Sequence, residues 1–210
     1  MKRSTRKALK DEKGYAYVIA FLLMSAVLLA AMEGAASNAQ VVQTADVNLS
    51  DAVSVAVKAA ATQVSPASQA SGTPRLRAAY AHAAFRDTLA GNIGLDTNTL
   101  ASLPGLPYTR GAYWLLVYNG YDDFSCDGAP GAKLFYFDGV AATESGFPYA
   151  GFPARFALSG GGIASGAGGD RTARLDSPGV VALVELESRK VIGRGTVTYR
   201  RWAAARVVNR

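Results

Sequence analysis

The side chains best suited to chemistry are few: one histidine, His82, one cysteine, Cys126, and the aspartates Asp122, Asp123 and Asp127 around that cysteine in NGYDDFSCDGAPG. A single histidine excludes His-rich metal sites and leaves one imidazole as a general base. It stands in the Ala-rich segment RLRAAYAHAAFRDTLA, four residues before Arg86 and close to Arg77, a setting that predicts a surface or packing role. A single cysteine excludes an intrachain disulfide and a cysteine-based zinc site. The expected state of Cys126 is a small, partly buried thiol, with pairing between chains as its other use. The aspartate loop can offer carboxylates to calcium but lacks the ligand spacing and closing glutamate of an EF-hand, so a solvated turn is predicted. SGGGIASGAGGD (159–170) is glycine-rich, yet no Gly-Lys-Ser/Thr follows; Arg171-Thr172 is the nearest approach to a phosphate cradle. Ser159 has glycines after it but no G-x-S-x-G elbow around it. No constellation supports catalysis, and the chain is expected to be non-enzymatic, with no cofactor and no metal.

The segments that surround these residues say more. A basic leader, MKRSTRKALKDEKG, carries Lys2, Arg3, Arg6, Lys7, Lys10 and Lys13 against Asp11 and Glu12. It runs directly into 18 apolar residues, Tyr15 to Met32, closed by Glu33. At 1.5 Å per residue the stretch spans about 27 Å, enough for a hydrocarbon core. Basic residues before it keep the N-terminus cytoplasmic by the positive-inside rule and send the remainder across the membrane. A cleavable secretory signal is the alternative, with Ser37-Asn38-Ala39 as the small-x-small site and cleavage before Gln40.

Helical patterning continues past Met32. From Glu33 to Val64 there is no proline and one glycine, Gly34, while Val42, Ala45, Leu49, Ala52, Ala56 and Ala59 repeat at a 3-4-3-4-3 spacing. Pro66 ends the run. One helix from about Tyr15 to Val64 is predicted, a transmembrane helix over 15–32 and a helical stalk over 33–65. Its small residues suit either close approach to neighbouring helices or burial against the chain's own domain. An extracytoplasmic α+β domain should occupy 66–210. Within it SPASQASGTP (65–74) reads as a linker, and Thr73-Pro74 as the cap and first residue of a helix ending at Gly91. Leu76, Tyr80, Ala83 and Ala84 would form that helix's apolar face, with Phe85 and Leu89 alongside. Asp96 is placed to cap a further helical turn, and LPGLPYTRG (103–111) is a connector.

From Tyr113 the period changes to that of strands. YWLLVYNG, KLFYFDG, ARFALSG, VVALVELE and TVTYRRW are aromatic and β-branched runs bounded by turn residues, with no helix-length pattern between them. A C-terminal antiparallel sheet follows, giving an α+β fold: a long N-terminal helix, a second helix and the sheet. The glycine-rich 159–170 segment is expected to be a loop.

Charge is unevenly spread. The formal net charge of +6 divides into +4 over 1–13, +6 over 186–210 and −4 over the rest. A mildly acidic body argues against nucleic acid as a partner. The basic C-terminus reads as a charged edge strand guarded from stray pairing, or as a contact for anionic lipid or an acidic partner.

The junction DEKG/YAYVIAFLL, a basic leader ending in Gly14 before an apolar helix, together with the stalk and the β-rich domain, resembles the type IV pilin-like superfamily. Within it the chain is most similar to the minor pseudopilin-like proteins of tight-adherence (Tad) pilus systems. The resemblance implies cutting of the Gly14–Tyr15 bond by a cytoplasmic-side prepilin peptidase. It also implies the lipid bilayer and other pilin-like subunits or pilus assembly proteins as partners. Shaft-forming pilins carry a glutamate at the fifth mature position; here that position is Ile19, which points to a minor, priming or tip subunit. The expected function is a single-pass, membrane-anchored structural component of such an appendage or secretion apparatus. The alternative is an exported or anchored binding protein or adhesin, using Tyr113-Trp114, Tyr118, Tyr121 and Phe147-Pro148-Tyr149 as contact surface.

Overall fold

Two runs, YWLLVY and VVALV, are apolar at every position rather than every second one, which suits strands buried on both faces. In the computed structural model, which describes residues 4–101, 103, 108–120, 131–190 and 195–207, they lie side by side at the centre of a sheet. Side chains are described from Tyr15 onward, except at 16, 38, 41, 42, 44, 45 and 109. The fold is α+β: three helices, α1 (Ser4–Ala61), α2 (Pro66–Ala70) and α3 (Ala78–Ile93), precede eight strands.

The strands are β1 (Tyr108–Tyr118), β2 (Ala132–Phe137), β3 (Ala142–Gly146), β4 (Ala154–Ser159), β5 (Gly162–Ser165), β6 (Arg171–Leu175), β7 (Gly179–Arg189) and β8 (Thr196–Arg206). They form an antiparallel five-stranded sheet, β3-β2-β1-β7-β8, and a three-stranded sheet, β5-β4-β6. Trp114 pairs with both Tyr136 and Leu183, and Leu183 with Trp202, which fixes one row across β2, β1, β7 and β8.

The alternation of side chains sorts the core into two clusters. Tyr113, Leu115, Val117, Val180, Ala182 and Val184 point into one, with α3 and the end of α1. Leu116, Tyr118, Val181 and Leu183 point into the other, against Phe156, Leu158, Ala173 and Leu175 of the small sheet. Helices, large sheet and small sheet are thus three layers within the unit comprising Ala45–Lys190 and Arg194–Arg210; Met1–Thr44 with 191–193 forms a second unit.

Helix α1 begins earlier than the sequence indicates, running through the basic leader from Ser4, and stops at Ala61. Val64 instead makes an isolated bridge to Leu76. Leu49, Ala52 and Ala56 of the small-residue stripe are buried in the chain's own core, together with Val53, Val57 and Ala60. For those residues burial within the domain, not helix–helix approach outside it, is the outcome.

Several local expectations are corrected. The 65–74 segment contains the short helix α2, and Pro74 does not open a helix: α3 starts after an Arg77 N-cap. It runs past Gly91 to Gly94, whose φ of 71° supplies the left-handed C-cap. The buried face of α3 is Ala78, Ala81, Phe85, Leu89, Ala90 and Ile93, while Tyr80 is half-exposed with the Arg77 guanidinium 3.4 Å above its ring. Asp96 closes a turn rather than a helix, accepting from the N–H groups of Asn98 and Thr99. The glycine-rich segment holds β5, and β3 and β6 add to the five strands predicted.

One polar side chain ties the segment before α3 to the sheet. Asn119, 2 % exposed at the end of β1, accepts from the Leu76 N–H (2.8 Å) and donates to the Leu76 carbonyl (3.0 Å). Asn119→Ala leaves both Leu76 groups buried and unpaired, which costs about 2–3 kcal/mol. For a domain of this size that lowers the melting temperature by about 5–10 °C, measurable by scanning calorimetry.

Candidate functional site

Among the described residues one helix segment, Tyr17–Ser37, is long and apolar: 21 residues with mean hydropathy 2.2 and none of it buried. Tyr17, Ile19, Phe21, Leu22, Leu23, Met24, Val27, Leu28, Leu29 and Met32 are each more than half exposed. An amphipathic surface helix would hide such residues on one side; here they surround the helix, as in a segment whose solvent is apolar. The length corresponds to about 32 Å, enough to cross a hydrocarbon core. One N-terminal helix therefore has the length and composition of a membrane anchor. Ser25, inside it, donates its hydroxyl to the Phe21 carbonyl (2.8 Å), so its polar group is satisfied without leaving the helix.

Gly14 and Tyr15, the expected processing pair, lie within α1, with Tyr15 fully accessible at 74 %. Glycine is about 1 kcal/mol poorer than alanine inside a helix, so the backbone opens at Gly14 at less cost than at its neighbours.

His82 is not at the surface. Its ring stacks on Phe135 (centroids 4.3 Å apart, planes within 8°), and Nε2 shares a hydrogen bond with the Tyr113 hydroxyl at 2.5 Å. Burial, reinforced by the nearby Arg86 guanidinium, lowers its pKa from 6.5 to about 4. Burial likewise pushes the Tyr113 hydroxyl up to about 12. At neutral pH both groups are uncharged partners in an aromatic cluster with Phe85 and Phe137. Of the two roles read from the sequence, surface or packing, the arrangement is the packing one.

Among the described residues no group of three His, Cys, Asp or Glu side chains is placed to hold a metal ion. Cys126, Asp122, Asp123 and Asp127, with Tyr121, lie outside the described residues. Of the aromatic segments suited to ligand contact, Tyr113, Tyr118 and Phe147 are core. Tyr118 is held further by its hydroxyl, which donates to the Ala150 carbonyl and accepts from the Ala150 N–H. Trp114 is half-buried and stacked on Tyr136 at 5.0 Å; Tyr149 is 39 % exposed.

The basic C-terminal strand β8 is one of the two edge strands of the large sheet, opposite β3. Arg200 pairs with Glu185 of β7 at 2.5 Å and lies 3.7 Å from Asp170; Arg201 pairs with Asp46 of α1. Strand alternation suggested a charged edge, but the α1 carboxylate that meets Arg201 is 155 positions away and carried no signal in the sequence. No protein-family model, characterised protein or solved structure matches this chain.

The lowered pKa of His82 sets a sign for acid stability. Above pH 6.5 the imidazole is neutral whether the chain is folded or not. Between 6.5 and about 4 the unfolded chain binds a proton that the folded chain excludes, so stability falls with falling pH. The loss is on the order of 2 kcal/mol after allowance for the ring's partial solvent contact. His82→Phe retains the stack and removes the titration. Urea midpoints taken from pH 7 to about pH 4.5 should fall less steeply for the variant than for the parent.

Proposed function

We propose that the chain is a membrane-anchored structural subunit. In this reading it is a minor pilin or pseudopilin-like component of a type IV or tight-adherence pilus-like appendage or secretion apparatus. The observation that carries the reading is the 21-residue apolar segment, wholly exposed, directly after a leader with six basic residues. The segment sits in the bilayer once, with the N-terminus cytoplasmic and the three-layer domain outside. Supporting it, the described core is occupied by packing interactions, and its one histidine is neutral and stacked rather than presented to a substrate.

In this reading a prepilin peptidase cuts after Gly14, and Tyr15 becomes the first residue of the mature subunit. The partners are lipid and other subunits of the assembly. With Ile19 where a shaft subunit carries a carboxylate, a neighbour's N-terminal amine has no counter-ion within the bilayer, and a buried unpaired charge is strongly unfavourable. A priming or tip position, where fewer neighbours surround the helix, avoids that cost.

N-terminal peptide mapping of protein from its native membrane should begin at Tyr15. Gly14→Leu should block the cut and leave a slower-migrating precursor. A first residue at Met1 would remove the peptidase step, and one at Gln40 would remove the anchor itself. Leu23→Arg places a charge in the middle of the segment at a cost of about 2.5–3.5 kcal/mol on insertion scales. It should shift a measurable part of the protein out of the alkaline-washed membrane fraction.

A further inference from the structure

Strand β8 is eleven residues long and paired along its whole length on one side only, with β7. Among the described residues no strand pairs with its outer side. A cavity of about 450 Å³ lies here, and its walls come from both faces of the sheet. Arg200 and Trp202 line it from the face that meets the small sheet, beside Asp170 and Arg171 at the start of β6. Ser50 of α1 and Arg201 line it from the helix-bearing face. A cavity walled from both faces of an outermost strand lies over the open edge of that strand. It is a groove with unpaired backbone as its floor, a helix on one side and a β-strand on the other.

One guanidinium of the groove, Arg171, is left for an acidic guest. Three guanidiniums face one lining carboxylate, Asp170. Arg200 and Arg201 are already engaged by Glu185 and Asp46, whereas Arg171 makes no ion pair among the described residues. Arg201 also donates through Nη1 to the Arg200 carbonyl (2.8 Å), satisfying one backbone acceptor of its own strand. An incoming strand must draw that guanidinium away, and a carboxylate is the group best able to do so. Trp202, 39 % exposed, offers apolar contact for the alternate side chains of an extended segment.

We propose that the β8 edge is a docking groove for an extended, acidic segment of a partner protein, which adds as a sixth strand to the large sheet. Main-chain hydrogen bonds to β8 supply the affinity, and Arg171 and Arg201, on opposite faces of the sheet, select carboxylates an odd number of positions apart. The groove lies wholly within the Ala45–Lys190, Arg194–Arg210 unit, so it operates whether or not α1 is cut after Gly14.

The test uses the full chain in non-ionic detergent with Trp114→Phe, leaving Trp202 as the one tryptophan. The probe is a seven-residue peptide, Val-Glu-Glu-Val-Glu-Glu-Val, which presents glutamate and valine on both faces of the added strand. Binding in the micromolar range should shift Trp202 emission to the blue. N-methylation of alternate peptide amides should weaken binding at least about tenfold, because main-chain donors carry it. Arg171→Gln should weaken it about threefold, while circular dichroism remains unchanged. Three results would overturn the proposal: no binding at about 1 mM peptide, equal binding of the methylated peptide, which would mean attraction by charge alone, or a Trp202 shift produced by phosphatidylglycerol vesicles but not by the peptide. Concentration-dependent dimerisation that protects Trp202 without peptide would assign the edge to a second copy, and so would also defeat it.

Discussion

Burial of β1 and β7 on both faces is the constraint from which the architecture of the domain follows. An amphipathic strand needs one covering layer; a strand apolar at consecutive positions needs two. Tyr113, Leu115, Val180, Ala182 and Val184 demand cover on one side, and Leu116, Tyr118, Val181 and Leu183 on the other. The end of α1 and helix α3 meet the first demand, which is why α1 carries Leu49, Val53, Val57 and a run of alanines on its packed side. Small residues there let the helix approach the sheet closely. The second demand is met by the three-stranded sheet, whose aromatic contribution is Phe156, edge-on to Tyr118 at 5.0 Å. Removing either layer would expose half of the two most apolar strands in the chain.

That logic explains what was readable from residue types. The five strands with dense aromatic and β-branched content were legible because burial leaves its mark at each core position. Strand β3 was not, because ATESG is exposed at every residue and is held by pairing with β2 alone. Strand β6, RTARL, carries only two buried residues, and β5 was hidden by glycine. In that segment Gly162 has a φ of 118° and lies against the Trp114 indole, where a side chain would collide, and Gly169 passes against the Leu158 backbone. The glycines there permit close approach of chain to chain, and composition alone cannot distinguish that use from a loose loop. The apolar face of α3 was misplaced for a related reason. Tyr80 looks like core by type, but its ring is covered by Arg77 at the surface, and alanines fill the packed side instead.

His82 shows a similar gap between type and environment. Its position among alanines was compatible with either a surface or a packed ring, and only the distant β1 and β2 strands decide between them. Phe135 supplies the stack and Tyr113 the polar partner, so the imidazole is held neutral by surroundings drawn from three elements. The same long-range dependence governs β8. Its alternating arginines were visible as a charged edge, yet their partners Asp46, Asp170 and Glu185 come from α1, the turn before β6 and β7. Ion pairs at an edge serve two ends at once: they keep the guanidiniums ordered over the strand backbone, and their partly exposed guanidiniums remain within reach of other carboxylates.

The N-terminal apolar segment obeys a different rule from the domain. Within the domain every large apolar residue that is buried finds a neighbour in the same chain. From Tyr17 to Ser37 none does. About 32 Å of helix with apolar side chains on all sides cannot be stable in water without a lipid or protein partner. Lipid satisfies all of that surface at once, whereas a protein partner covers only the face it touches. The open surface of the domain is of another kind: β8 is an eleven-residue strand with no strand along its outer side among the described residues.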